Sequence, residues 1–323
     1  MRIPDPSASP GPARSAARTI YYALRLVVVV AIIAYLVWNV YANREALDSV
    51  TMHWRWADLV GALLAGVAAY QCLFLGWLML LGRSGYYRPG RLRPYARTWW
   101  LSYLYRYVPG KVLLVVERAR MGTAVGIPAA AGAVLAVIET VLAILAGTAV
   151  SLLAVPYYTE IDYRVFTAVA GFVILAIAFL PTGFRLICRT PFIQSRLRDL
   201  DPAAFRSRDV LLVAIPYVLH YLLLGTSFFL LWRIVASLAW PALPGLCGIY
   251  ALSHVLSLLA LIAPGGLGVR EGALAVQLTR IAPLAVAGAM AIGARIWFTL
   301  IELICYFCVL VLARGRREPE SFM

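Results

Sequence analysis

Residues 263–271 read APGGLGVRE and interrupt an otherwise apolar region of the chain. Pro264 lacks a backbone donor and disfavours helix at the residue before it. Three glycines in the stretch permit backbone conformations that other residues avoid: Gly265, Gly266 and Gly268. We therefore predict that one helix ends before this stretch and that a second helix begins within it, with Arg270 and Glu271 in its first turns.

A helix break in apolar sequence has a functional meaning in membrane proteins. Irregular backbone at membrane depth persists only where protein or a water-filled cavity satisfies its polar groups. A proline–glycine break beside charged residues therefore points to a transport site. The alternative is a tight turn between two ordinary helices, in which Glu271 only faces a helix N-terminus.

The composition places the chain among helical membrane proteins. Its residues are 63% hydrophobic and 14% charged, whereas a soluble domain carries about 25% charged residues. The net charge of +14 comes almost entirely from arginines that cluster in loops. This pattern indicates membrane topology and contact with anionic lipid, and no nucleic-acid partner is expected.

Apolar runs predict an all-α polytopic protein with about six full spans and two re-entrant hairpins. The full spans are predicted at residues 20–41, 59–81, 129–155, 165–184, 210–232 and 286–312. The first hairpin joins short pieces at 99–108 and 112–120 across Pro109-Gly110-Lys111, and the second covers residues 245–280. The second hairpin could instead be two thin crossings, because residues 245–262 are nearly long enough to span.

The domain organisation and the topology follow from the same pattern. We expect a disordered cytoplasmic N-terminus over residues 1–18, one transmembrane domain over residues 19–313 and a cytoplasmic tail over residues 314–323. If each hairpin enters and leaves on one side, the arginine-rich loops and both termini lie on the same face. The positive-inside rule makes that face cytoplasmic, so we predict an integral protein of the plasma (inner) membrane.

The two breaks resemble each other and predict an internal repeat. Pro109-Gly110 and Pro264-Gly265 each follow an apolar piece and precede basic and acidic residues. Each half then continues into a span with an intramembrane glutamate, Glu139 in the first half and Glu302 in the second. Matching broken segments in halves of opposite topology are typical of inverted-repeat transporters.

Charges at the breaks and inside the spans are the candidate site. The second half-helix of a re-entrant hairpin begins near mid-membrane, where its free N–H groups favour an anion such as a lipid phosphate. The candidate residues for binding or moving a lipid headgroup are Gly110, Lys111, Glu117, Arg118, Glu139, Gly265, Gly266, Gly268, Arg270, Glu271, Arg295 and Glu302. The alternative is that these charges are structural ion pairs between helices. We further expect both breaks to lie near mid-membrane and to approach each other.

Other side chains suggest packing rather than chemistry. Arg295 and Glu302 lie about 10 Å apart along one helix, so their partners must lie elsewhere, with Glu139, Arg270 and Glu271 as candidates. His220 and His254 lie in apolar stretches and are predicted to be hydrogen-bonded packing residues. No metal-ligand spacing and no nucleophile beside a base is present. We therefore expect no cofactor and no enzymatic activity.

Two segments resemble a known family. They are residues 106–111 (RYVPGK) followed by Glu117-Arg118, and residues 263–273 (APGGLGVREGA). They resemble the two signatures of the lysylphosphatidylglycerol synthase transmembrane-region family, which includes the flippase-like N-terminal half of the multiple peptide resistance factor. The resemblance covers about residues 59–312 and implies a protein that moves a lipid, such as an aminoacylated phospholipid, between leaflets. Because the sequence stops at Met323 without a soluble aminoacyl-transferase domain, we expect no lipid aminoacylation.

The leading hypothesis is therefore a flippase-like translocase. Its partner would be a membrane phospholipid or a polyprenyl-linked lipid, which crosses through a polar cleft between two inverted halves. The alternative is a non-transporting membrane partner or scaffold of a lipid-modifying enzyme or glycosyltransferase. The sequence leaves the oligomeric state open.

Overall fold

The fold is taken from a computed structural model of the chain. The structure describes residues 38, 41, 55–107, 112–157, 171–172, 175–176, 179, 182, 207–234, 238–260, 266 and 268–314. The chain divides into two compact units, Met1–Glu45 and Ala46–Met323, and the helices discussed below all belong to the second unit.

Several predicted features lie outside the described residues. They include all but two residues of the predicted span at 20–41, all but a few residues of the predicted span at 165–184, and most of the arginine-rich loop at 185–208. The first break, Pro109-Gly110-Lys111, and Gly265 of the second break also lie outside them.

Every secondary-structure element in the described residues is helical. The α-helices that are described over their length are α1 (Trp56–Arg83), α2 (Leu92–Tyr103), α3 (Val112–Thr123), α4 (Ala129–Ser151), α5 (Ser207–Trp232), α6 (Leu243–Leu259), α7 (Val269–Leu278) and α8 (Leu284–Arg314). Short 3₁₀ segments cover Leu104–Tyr107, Leu152–Tyr157 and Trp240–Ala242. The all-α prediction is confirmed for this part of the chain.

Five helical segments of the described residues are long and apolar enough to cross a membrane. They are Trp56–Arg83, Ala129–Ala154, Arg208–Trp232, Trp240–Leu259 and Val286–Leu312. Four of them coincide with predicted spans, which supports the assignment to the membrane proteins. The remaining one, Trp240–Leu259, is the first arm of the second broken segment, and its length agrees with the reading of this arm as a thin crossing.

Three helices of the described ranges are too short to span a membrane. The helices α2 and α3 have 12 residues each, about 18 Å of rise, against a hydrocarbon core of about 30 Å. The helices α2 and α3 flank the first break in sequence and pack against each other. The third short helix, α7, has 10 residues. The predicted pair of short pieces is therefore present, while the depth of the hairpin in the membrane stays a prediction.

The second break has the backbone that its glycines predict. The helix α6 ends at Leu259 and α7 begins at Val269. Gly266 has φ +70° and Gly268 has φ +79°, a region that side chains with a Cβ rarely adopt. A Cβ on Gly266 would also lie 1.8 Å from Ser257 Oγ of α6. The sequence prediction of a helix break here is confirmed.

The spans pack closely around α5. This helix contacts α1, α4 and α6, and α6 contacts α4 and α7. At Gly225 of α5 an added Cβ would lie 2.4 Å from the Cα of Cys247 on α6, so the absence of a side chain lets the two backbones approach. The helix α8 packs on α7 and on α2, which brings the helices next to both breaks into one region.

Candidate functional site

Six of the predicted site residues are charged and buried: Glu117, Arg118, Glu139, Arg270, Arg295 and Glu302. A buried charge is stable only when a counter-charge, hydrogen bonds or water compensate the loss of its hydration. The partners of these side chains therefore decide which of them serve the fold and which are free to bind a ligand.

Arg118 and Glu139 form a closed pair. Arg118 Nη1 donates to Glu139 Oε2 at 2.8 Å, and its Nε donates to Ser102 Oγ at 2.5 Å. Trp99 Nε1 donates to the other carboxylate oxygen at 2.9 Å. The guanidinium carbon lies 5.2 Å and 5.4 Å from the ring centroids of Trp77 and Trp99. These contacts tie α1, α2, α3 and α4 together.

Glu302 of α8 is the centre of a second cluster. Arg106 forms an ion pair with it, and Tyr70 OH and Tyr107 OH both donate to it, the latter at 2.7 Å. The guanidinium carbon of Arg106 lies 4.4 Å from the centroid of the Tyr103 ring. The segment that leads into the first break is therefore joined to α8.

Glu271 has two partners. Its Oε2 accepts from the backbone N–H of Gly268 at 2.7 Å, which satisfies one of the free donors at the start of α7. Its Oε1 lies 3.3 Å from Arg295 Nε of α8. The predictions that Glu271 would lie near a helix N-terminus or a basic group, and that it could pair with Arg295, are confirmed.

Arg270 differs from the other buried arginines. It is 4% exposed, and no carboxylate of the described residues lies within ion-pair distance of it. Its Nη2 is buried without a hydrogen-bond partner in the described part of the chain, as is Nη2 of Arg118, so the missing carboxylate is what distinguishes Arg270. The guanidinium carbon instead lies 4.8 Å and 5.7 Å from the ring centroids of Tyr250 and Phe298. Ring faces attract a cation but do not neutralise its charge.

A cavity of about 370 Å³ collects several of these side chains. Its charged lining residues are Arg106, Arg118, Glu139 and Arg270, and its other polar lining residues include Tyr103, His220, His254 and Ser257. The rest of the wall is largely aliphatic and includes Val137 of α4 and Leu259 of α6, which are 50% and 55% exposed. The cavity thus joins a charged interior to the apolar outer surface of two candidate spans.

The predicted site is brought together in part. Arg118, Glu139 and Arg270 line the cavity, while Glu271, Arg295 and Glu302 belong to the ion pairs beside it. Glu117 is not part of the cavity wall and pairs with Arg120 at 2.8 Å. Gly266 and Gly268 shape the start of α7, whereas Gly110, Lys111 and Gly265 lie outside the described residues.

Sequence reasoning missed several partners. Arg106 and Tyr107 lie in the first signature but were not among the candidate site residues, and Tyr70 and Trp99 carried no signal of their own. His220 is hydrogen-bonded as predicted, with Nδ1 2.8 Å from Ala69 O, yet it and His254 also line the cavity. Within the described ranges no group of three or more His, Cys, Asp and Glu side chains is arranged to hold a metal ion.

Comparison with known proteins adds no assignment. No family model matches the sequence, and no curated protein matches it either. The resemblance to the lysylphosphatidylglycerol synthase transmembrane-region family therefore stays a prediction that depends on the two quoted segments.

Proposed function

We propose that this protein is a translocase that moves a phosphate-containing lipid between the leaflets of the plasma (inner) membrane. The observation that carries the proposal is the cavity, whose lining combines buried charged side chains with exposed aliphatic side chains. A lipid has the same two chemistries. Its headgroup would occupy the charged end, and its chains would stay against the apolar surface of α4 and α6.

The surrounding charges have separate tasks in this mechanism. Arg270 would bind the phosphate, because guanidinium groups pair with phosphate oxygens in a bidentate manner. The Arg118–Glu139 and Arg106–Glu302 pairs would hold the helices around the headgroup. Lys111 and the free N–H groups at the starts of the half-helices would add positive potential along the path.

The proposed architecture is an inverted repeat of about six full spans and two broken segments, with both termini cytoplasmic. In such proteins one half rocks against the other and exposes the same site to each side of the membrane in turn. The short helices α2, α3 and α7 adjoin the cavity and do not extend through the bilayer. They are therefore the elements that would open it toward one leaflet or the other.

The cavity also bears on the alternative function. A non-transporting partner of a lipid-modifying enzyme or glycosyltransferase needs an apolar docking surface, and a dry interior would serve it better. Charged side chains near lipid have a high desolvation cost and are usually found where they bind a substrate or an ion. This favours transport over a scaffold role.

Reconstitution tests the proposal. The purified protein is placed in liposomes that carry a trace of fluorescent phospholipid, and a membrane-impermeant quencher reports how fast the outer leaflet is refilled. We expect refilling faster than in protein-free vesicles, and a large loss of this rate on Arg270→Ala or Lys111→Ala. Arg91→Ala is the matched control, because Arg91 is exposed and lies outside the cavity.

A negative result would be equally clear. If anionic, aminoacylated and polyprenyl-linked lipids all cross no faster than in protein-free vesicles, the translocase proposal is wrong. If the Arg270 and Arg91 variants show equal and small effects, the buried charges serve only the fold.

A further inference from the structure

The charges around the cavity do not balance. Among the described residues in and beside the cavity, four arginines meet three glutamates: Arg106, Arg118, Arg270 and Arg295 against Glu139, Glu271 and Glu302. The other buried acidic residues, Asp58 and Glu117, pair with Arg233 and Arg120 and do not line the cavity. Each glutamate forms an ion pair with one arginine. The remaining arginine is Arg270, whose side chain forms the wall of the cavity.

An anion in the cavity would neutralise the excess positive charge. Removing a guanidinium from water without a counter-ion is costly, and a cation over aromatic rings regains only part of that cost. The rings of Tyr250 and Phe298 therefore stabilise Arg270 only in part. Its Nη2 has no hydrogen-bond partner among the described residues, which is also true of Arg118 Nη2, but Arg118 has Glu139 as its counter-charge and Arg270 has no described carboxylate.

We infer that the site selects a lipid whose headgroup is net anionic, a phosphate without a compensating ammonium group, over zwitterionic and aminoacylated lipids. The inference rests on the proposed function and names its substrate class. A phosphate diester supplies the single negative charge that Arg270 lacks, and its two free oxygens match the guanidinium donors.

A headgroup that carries an ammonium group is disfavoured by the same arrangement. The carboxylate of the cavity wall, Glu139, already accepts from Arg118 and Trp99. Glu302 accepts from an arginine and two tyrosines, and Glu271 is engaged by Arg295 and a backbone N–H. An added cation would meet Arg106, Arg118 and Arg270 in the cavity wall without a carboxylate that is free of an arginine.

The anion is a lipid rather than free phosphate because of the cavity wall. Aliphatic side chains of α3, α4 and α6 make up much of it, and Val137 and Leu259 continue it to the outer surface. Inorganic phosphate gains nothing from such a wall, whereas acyl or polyprenyl chains bury apolar surface against it.

The test measures binding and is separate from transport. The purified protein in detergent is offered equal amounts of phosphatidylglycerol, phosphatidylcholine and lysylphosphatidylglycerol, and native mass spectrometry counts the retained lipids. We expect phosphatidylglycerol to be retained at least about tenfold over the other two, which corresponds to about 1.4 kcal/mol. Millimolar inorganic phosphate, the arm for a soluble anion, should leave this ratio unchanged.

Variants connect the preference to Arg270. Arg270→Gln should bring the three lipids to within about twofold of each other, and Arg270→Lys should keep part of the preference because it keeps the charge. Arg91→Gln, the exposed control, should retain the wild-type ratio. Size-exclusion chromatography checks the fold of each variant, and the wild-type ratio alone decides the selectivity if Arg270→Gln does not fold.

The outcomes separate this inference from the proposed function. Equal retention of the three lipids, or stronger retention of the lysylated lipid, overturns the inference, as does competition by inorganic phosphate alone. An anionic preference that survives Arg270→Gln also overturns it. Selective binding without transport in liposomes would leave the anionic site standing and remove the translocase. Equal transport of all three lipids would support the translocase and overturn the anionic selectivity.

Discussion

Arg118 and Arg270 are two buried arginines on short helices that follow the two breaks, and their surroundings differ in one respect. Both guanidinium groups lie over aromatic rings, Trp77 in the first case and Tyr250 in the second. Arg118 also has Glu139 at 2.8 Å, whereas no described carboxylate is paired with Arg270. Within the described residues the first charge is neutralised and the second is not, which is why we propose a ligand at Arg270.

The difference separates paired buried charges, which stabilise the fold, from an unpaired buried charge, which the rest of the fold must compensate. Removing one partner of a closed buried pair leaves the other charge unpaired and costs about 3–5 kcal/mol, whereas replacing both partners by apolar side chains is often neutral. Removing an unpaired buried charge removes its desolvation cost, which is present in the folded state and absent from the unfolded state. Stability measurements on single variants can therefore tell the two classes apart, and the following tests run from the largest expected effect to the smallest.

The largest loss of stability is expected for Glu302→Gln. Glu302 accepts from Arg106, Tyr70 and Tyr107, so its neutralisation leaves Arg106 without a counter-charge beside Arg270. We expect the free energy of unfolding to fall by about 3–5 kcal/mol, measured by thermal and denaturant unfolding of the purified protein in detergent. A loss below about 1 kcal/mol would mean that water or other groups already compensate this cluster.

The closed pair is tested by a double-mutant cycle. Glu139→Leu alone should cost about 3 kcal/mol, because Arg118 stays buried without its carboxylate. Adding Arg118→Leu should recover most of that loss, since the charge and its partner are then both absent. If the losses of stability from the two substitutions simply add, Arg118 and Glu139 do not stabilise each other, and the interpretation of them as a closed pair is wrong.

Replacing Arg270 of α7 and replacing Arg295 of α8 should change the free energy of unfolding in opposite directions. Arg270→Met should raise the free energy of unfolding by about 1 kcal/mol, because an uncompensated buried charge is replaced by an apolar side chain of similar length. Arg295→Met should lower it by about 1–3 kcal/mol, because Glu271 loses its charged partner and keeps only the hydrogen bond from Gly268. Losses of similar size in both variants would show that Arg270 has a counter-charge after all.

Local features of the second break were predictable from sequence. Helix breakers act on their own backbone, so the pattern of Pro264 and its glycines placed the end of one helix and the start of the next. A glutamate three residues after the capping position is likewise a local signal, and Glu271 caps the N–H of Gly268 as this signal predicts.

The partners of the buried charges were harder to predict, because they are set by tertiary packing. Arg106 and Glu302 lie 196 positions apart in sequence, and no pattern connects them. Arg270 and Glu271 are adjacent, but consecutive side chains of a helix point in different directions. Glu271 therefore reaches Arg295 while Arg270 enters the cavity, and the charge excess becomes visible only in three dimensions.

The smallest effect is expected for Asp209→Asn, which tests whether burial is what distinguishes the interior pairs. Asp209 forms an ion pair with Arg83 at 2.5 Å, shorter than the buried Arg118–Glu139 pair at 2.8 Å, but the side chain of Arg83 is 42% exposed. Water and salt screen such a pair, so its loss should cost at most about 1 kcal/mol. Asp209 also lies in the first turn of α5, where a negative charge gains about 0.3–1 kcal/mol from the helix dipole. Both contributions should shrink as salt is raised from 0.1 to 1 M, because the screening length falls from about 10 Å to about 3 Å. The effect of Glu302→Gln should hardly change over the same range. A loss for Asp209→Asn that equals the one for Glu302→Gln, or that does not depend on salt, would show that contact distance rather than burial sets the strength of these pairs.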